Sequence, residues 1–367
     1  RHMGFLLTGF KKSRSLHSAR MTRQNVVQIP INQAEYEWKM GSIANHKTIS
    51  EYSVMYHSPT EEREIRNDRT NVRYLIDDAV RDSLLPFDLK KGLATFQDKG
   101  EALQKEPCLQ SLCNWAISQP GSTIKEVFDG ADFATWRGTL KRIAATIHKK
   151  DAWKFIALSL GGVIFISEQA RKYHGGNHHL PTYSGFKFEQ YITTNKDGDL
   201  DSDEPVDNRS TFEIMVTSNL MLDDVSLKLC CGAEIDALRG DEPIELKTGK
   251  DVKNLSKFET VLQSEIVGIK ALLMGIKGND FMVERVEETS IKQIKAKSEQ
   301  IALKTAQSYA FLADFLFKLK TFLGDHEACE AYFDSRRMEV VIKRLSIEEA
   351  NRNGKGVTAE FMKHFSQ

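Results

Sequence analysis

The densest chemistry in the chain lies between Glu234 and Lys247. Glu234-Ile235-Asp236 is followed, after eight residues, by Glu245-Leu246-Lys247. In an extended strand, side chains two apart share a face, so Glu234 and Asp236 project together, as do Glu245 and Lys247. Gly240, Asp241 and Pro243 supply turn chemistry in between, which predicts a hairpin gathering three carboxylates and one ammonium. Such a cluster repels itself unless cations occupy it. With no thiolate or imidazole nearby, its hard oxygens favour Mg²⁺ or Mn²⁺. A pair of such ions can activate an attacking water and stabilise the leaving oxygen of an in-line phosphoryl displacement, while Lys247 neutralises charge on the scissile phosphate. A hairpin of salt-bridged surface charges is the bland alternative for the same residues.

The elements that must position this window follow from periodicity. Strands are expected at 211–216, 225–229, 234–238 and 243–247, with a returning strand at 338–342. Two more, at 153–159 and 163–167, are joined by Gly161-Gly162 as a hairpin. Helical spacing is read around Leu112, after Gly138 through Leu140, Ile143 and Ile147, over 186–192, and over two long stretches, 255–277 and 290–324. Residues 28–59 read as irregular structure with edge strands, and 195–204 as a charged loop. The expected fold is α+β, with central mixed, mainly antiparallel sheets flanked by helices.

The 367 residues are 41% hydrophobic and 28% charged, enough to bury a sizeable core. Lys plus Arg and Asp plus Glu both total 51, which excludes a globally basic nucleic-acid coat, so any polyanion must be met locally. No run approaches the roughly 18 apolar residues of a membrane span, and five cysteines without paired spacing point to a reducing compartment. Residues 1–24 read as a basic tail, with 1–3 a cloning remnant and Met21 a second candidate start; an import segment is the less favoured reading. Residues 25–367 read as one catalytic domain. Asp197, Asp199 and Asp201 alternate as in a calcium loop, but Ser202 and Asn208 stand where glycine and glutamate are needed. His174, His178 and His179 lack a second ligand pair, and Cys230-Cys231 reads as core.

Asp followed by Glu-x-Lys resembles the signature of PD-(D/E)xK nucleases. Five blocks in order widen the likeness: Thr135-Trp136-Arg137-Gly138, Gly185-Phe186-Lys187-Phe188-Glu189-Gln190-Tyr191, Glu234-Ile235-Asp236, Ile244-Glu245-Leu246-Lys247-Thr248 and Leu262-Gln263-Ser264. Together they resemble the decapping exoribonuclease (DXO) family from about Ala134 to Gly278. The resemblance implies a metal site of Glu189, Glu234, Asp236 and Glu245 with the Leu246 carbonyl, holding two Mg²⁺ or Mn²⁺ ions. It makes Lys247 and Gln263 the catalytic residues at the scissile phosphate. Trp136, Arg137, Gly138 and Thr217, with Glu234, Lys247 and Gln263, would contact substrate.

The implied substrates are RNA 5′ ends, capped, triphosphorylated or monophosphorylated. The implied activity is removal of aberrant or atypical caps, 5′ pyrophosphate or a nicotinamide-dinucleotide cap, and 5′-to-3′ digestion in mRNA quality control. A partner exoribonuclease and a nuclear rather than cytoplasmic location go with it. Two departures bear on 5′-group selectivity. Met55 precedes Tyr56-His57-Ser58-Pro59 where the family carries an arginine, and the poorly matching region before Trp136 leaves Glu106 as a weak substrate contact. A PD-(D/E)xK DNA nuclease and a catalytically idle RNA-end-binding or exonuclease-regulating protein are the alternatives.

Overall fold

The computed structural model describes residues 25–58, 62–96, 108–168, 179–250, 257–352 and 356–366. In chain order the strands are β1 (Val26–Pro30), β2 (Ser42–Met55), β3 (Glu64–Arg66), β4 (Tyr74–Leu75), β5 (Phe87–Asp88), β6 (Phe133–Trp136), β7 (Trp153–Leu160), β8 (Val163–Glu168), β9 (Thr193–Thr194), β10 (Thr211–Leu222), β11 (Val225–Glu234), β12 (Ala237–Arg239), β13 (Glu242–Gly249), β14 (Ala271–Lys277), β15 (Met282–Ser290), β16 (Ala328–Asp334) and β17 (Glu339–Leu345). They form a ten-stranded sheet, β1-β17-β16-β7-β8-β6-β11-β10-β2-β3, and a seven-stranded sheet, β5-β15-β14-β13-β12-β4-β9. Most neighbours run antiparallel; β6 is parallel to both β8 and β11, β13 to β14, and β12 to β4. The helices that bear on the core and the site are α1 (Gln110–Ser118), α2 (Arg137–Ala145), α3 (His179–Ile192), α4 (Lys257–Ile266), α5 (Ile291–Ala296) and α6 (Glu299–Phe322). This is the mixed α+β architecture expected.

Strand β10 shows why the large sheet is buried on both faces. Phe212, Ile214, Val216 and Leu220 enter the core under α6, against Phe311 and Phe315. Met215 points the other way, into the cluster of Trp115 and Phe128. The two-residue alternation thus serves two cores instead of one core and solvent.

The 153–168 hairpin closes as expected, Leu160 opposite Val163, with Gly161 and Gly162 at φ of 55° and 77°, the left-handed pair a two-residue turn requires. Three expectations are corrected. Residues 42–55 form one long strand, β2, pairing with β10 through two register shifts. Its polar composition hid it, because most of its length lies near the margin of the sheet and stays partly exposed. The stretch 255–277 is not one helix: α4 ends at Ile266, Gly268 turns the chain at φ 76°, and 271–277 is strand β14. A short apolar run fits either period, and pairing with β13 and β15 decides it. The stretch 290–324 divides into α5 and α6, because Ser298 leaves helical geometry and caps α6 by accepting from the Ile301 amide.

Candidate active site

The acidic window spans a change of sheet. Glu234 ends β11 in the large sheet, and Ala237 begins β12 in the small one. The expected single strand at 234–238 is therefore divided. The Ile235 amide donates to the Phe212 carbonyl and the Leu238 amide to the Arg73 carbonyl, so Asp236 hangs at the junction. The expected β12–β13 hairpin is present: Arg239 faces Glu242 across Gly240-Asp241, with Gly240 at φ 62°. On β13, Ile244 and Leu246 enter a core with Phe188 and Ile192 of α3, which turns Glu245 and Lys247 to the opposite face.

Two glycines set the supports. A β-carbon on Gly232 would stand 2.3 Å from Trp136 Cζ3, so only glycine lets the indole lie across β11. The Trp136 indole N–H donates to the Cys108 carbonyl at 2.7 Å, and the next residue, Arg137, opens α2 in a fixed place. Gly275 likewise admits the Phe188 ring, where a β-carbon would be 2.6 Å away, and so seats the helix carrying Glu189 on β14.

Glu245, 1% exposed, is the hub. Arg137 Nη1 donates to its Oε2 at 3.1 Å and Gln263 Nε2 to its Oε1 at 2.7 Å, while the Lys247 ammonium also binds Oε1. Arg137 Nη2 reaches the Glu234 carbonyl at 3.2 Å, tying the two sheets together. Lys247 Nζ also donates to the Leu246 carbonyl at 3.1 Å and lies 3.9 Å from Asp236 Oδ2, which accepts from the Leu246 amide at 2.8 Å. Burial would raise the Glu245 carboxyl, but Arg137 and Lys247 overcome it and hold the group below its ordinary value. Asp236 is pushed up to about 6, by burial first and then by the charge on Glu245. Burial pulls Lys247 down, yet Glu245 and Asp236 outweigh it and leave the ammonium at about 12.

In front of this network lies a cleft of about 390 Å³. Glu189, Glu234 and Asp236 line it, together with Asn71, Arg73 and Asn195. Glu245, Lys247, Gln263 and Arg137 lie behind it. Gly138 is exposed in the first turn of α2. Trp136 is committed to packing, and the Leu246 side chain to the core, leaving its carbonyl as the group facing Lys247. Thr217 is not brought to the carboxylates. It sits four residues along β10 from Glu213, the partner of Glu234, about 13 Å at strand rise, and its hydroxyl donates to Asp129. Glu106, His174 and His178 lie outside the described residues, as does residue 59 of the Tyr-His-Ser-Pro segment.

Among the described residues, no three acidic, His or Cys side chains converge closely enough to cage an ion as they stand. Both Glu245 oxygens are engaged by protein donors. The residues nevertheless suit a hard divalent cation: Glu189, Glu234 and Asp236 share one cleft, and every donor they offer is a carboxylate oxygen. Two further residues complete the site without having stood out in the sequence. Lys141 donates to Gln263 Oε1 at 3.1 Å, and its place one turn after Arg137 is the signal that would have found it. Glu213 pairs in register with Glu234 and accepts from the Tyr52 hydroxyl at 2.6 Å; only strand pairing reveals it.

A hairpin carrying Asp236, Glu245 and Lys247 on a mixed sheet, backed by a helix bearing Glu189, defines a nuclease of the PD-(D/E)XK class. A family model described as RAI1 like PD-(D/E)XK nuclease matches residues 51–362, and the chain belongs to that family. Its relatives include the decapping nuclease dom-3 of Caenorhabditis elegans, 26% identical over 373 residues, covering 93% of this chain and 92% of the relative. The decapping nuclease RAI1 of Saccharomyces cerevisiae is 25% identical over 312 residues, 72% of this chain and 79% of the relative. Among solved structures, Scheffersomyces stipitis Rai1 in complex with (3′-NADP)⁺ and calcium ion superposes with a TM-score of 0.73 at 17% identity, covering 94% of this chain and 99% of that one. Candida albicans Rai1 in complex with pU5-Mn²⁺ gives 0.70 at 16%, covering 93% and 99%. These likenesses establish the shared fold.

Proposed function

We propose that this chain is a divalent-metal-dependent hydrolase of RNA 5′ ends that removes aberrant caps or terminal phosphates, digests RNA 5′-to-3′, or both. The observation that carries the reading is the Glu245 hub, where Arg137, Lys247 and Gln263 converge behind a cleft walled by Glu189, Glu234 and Asp236. Its relatives are named decapping nucleases, and neighbours of the same fold were solved with pU5-Mn²⁺ and with (3′-NADP)⁺ and calcium. Glu189, Glu234, Asp236 and Glu245, with the Leu246 carbonyl, would hold Mg²⁺ or Mn²⁺, two ions in our reading. A divalent cation there supplies charge stabilisation and water activation.

The chain's own residues do the rest. Lys247 keeps its proton through the neutral range and would donate a hydrogen bond to a non-bridging oxygen of the scissile phosphate. Gln263 and Arg137 position the strand, Arg137 with a planar fork suited to phosphate. Cations bound by the acidic cleft, with Lys247 and Arg137 beside it, would meet the polyanion locally, which reconciles RNA with zero net charge. A partner exoribonuclease that consumes monophosphorylated product, and a nuclear location, extend the same reading. Matched RNA and DNA strands test it: cation-dependent cleavage of RNA with DNA spared supports the reading, and equal cleavage of both, duplex DNA included, would assign a DNA nuclease instead.

A further inference from the structure

The Gln263 amide is locked from both ends. An ammonium only donates and an ionised carboxylate only accepts, so Lys141 must face Oε1, at 3.1 Å, and Glu245 must face Nε2, at 2.7 Å. Lys141 lies on α2 and Gln263 on α4, two helices packed against each other. Lys141 is partly buried and forms no ion pair among the described residues; Glu259, the carboxylate whose charge acts on it most, is engaged by Lys149 at 2.7 Å. It also feels Arg137 and Lys247 as like charges and Glu245 as an opposite one. A cation kept in such company, with its hydrogen bond given to an amide, is placed for that amide and not for surface charge.

We propose that Lys141 is a positioning residue of the hydrolytic centre, which fixes the Gln263 amide so that its Nε2–H faces Glu245 and the scissile phosphate; this rests on the hydrolase reading above. Without the ammonium Oε1 loses its donor and only the bond to Glu245 still orients the amide, so its Nε2–H is held less firmly. The defect then falls on the reacting phosphate more than on binding of the strand as a whole.

The test uses the full chain with Mn²⁺ and short 5′-monophosphate and 5′-triphosphate RNAs, comparing Lys141→Met, Lys141→Arg, Gln263→Leu and the Lys141→Met/Gln263→Leu double variant. Lys141→Met is expected to lower kcat about tenfold with KM within about twofold. Lys141→Arg, which keeps a donor, is expected to recover most of that loss. In the Gln263→Leu background, Lys141→Met should cost less than about twofold further. Full kcat in Lys141→Met, an equal loss in both backgrounds, or a loss confined to KM that deepens with salt would overturn the proposal, the last by making Lys141 a plain phosphate contact. If the unsubstituted chain cleaves neither RNA, the hydrolase reading has failed, and thermal melts of the same variants still judge the Lys141–Gln263 link. Sub-additive Tm losses support it and additive losses overturn it.

Discussion

Arg137→Met removes the guanidinium that both sheets share. The substitution keeps most of the length and apolar volume of the side chain but leaves Glu245 Oε2 without its donor at 3.1 Å and the Glu234 carbonyl without its donor at 3.2 Å. Side-chain exposures of 11% for Arg137 and 1% for Glu245 place the pair in the interior, where breaking one partner away costs about 3–5 kcal/mol. Lys247 and Gln263 still hold Oε1, so the loss falls at the lower end, about 3 kcal/mol. At about 2.1 cal/mol/K per residue, a chain of this length unfolds with an entropy of about 0.8 kcal/mol/K, and Tm falls by about 4 °C. Adding Glu245→Gln removes the orphaned charge, so the double variant should melt clearly above the sum of the two single losses. Thermal denaturation of the four chains without divalent cation is the assay. An Arg137→Met chain that melts within about 1 °C of the unsubstituted one, or losses that simply add, would refute the claim that Glu245 depends on Arg137.

Gly232→Ala should act on the site from within the core. Its new β-carbon would stand 2.3 Å from Trp136, whose displacement carries Arg137 off Glu245; a loss of about 1–3 kcal/mol and a fall in turnover are expected, read by melting and cleavage together, and a fully active variant would detach the indole from the site. The His148 Nε2–H donates to the Lys304 carbonyl at 3.1 Å, and burial holds the imidazole below its ordinary value. A depressed folded pKa means that the unfolded chain takes up the proton first, so His148 contributes stability above about pH 6.5 that is lost as pH falls through the folded value. Between pH 7.5 and 5.5 the Tm of His148→Gln should therefore fall less than that of the unsubstituted chain, and parallel curves would contradict this.

Much of the hairpin was legible because its determinants are local: alternation puts Glu245 and Lys247 on one face, and Gly240 is the residue the turn demands. The helix of Glu189 was legible through Phe188 and Ile192, which repeat at helical spacing. What escaped depends on distant pairing. Nothing near Ile235 announces that the chain changes sheets there, because the partners that decide it, Phe212 and Arg73, lie far away in sequence. The contact of Arg137 with Glu245 spans 108 positions and follows from Trp136 lying on Gly232. Strand β2 was hidden by its polar margin, and β14 by an apolar run that suits two periods. Thr217 came from likeness alone, and the register of β10 with β11 sets it opposite Cys230, away from the carboxylates.

The central claim, that the carboxylates around Asp236 make this chain a cation-dependent hydrolase of RNA 5′ ends, is tested most directly by one end-product assay. RNA bearing a monophosphate, triphosphate, methylated cap, unmethylated cap or nicotinamide-dinucleotide cap is incubated with Mg²⁺ or Mn²⁺, using the unsubstituted chain and Glu234→Ala. Release of a cap, a terminal phosphate group or short 5′ products by the unsubstituted chain, lost in Glu234→Ala and without divalent cation, is the predicted result. RNA bound with no end processed, or products undiminished in Glu234→Ala, would contradict it.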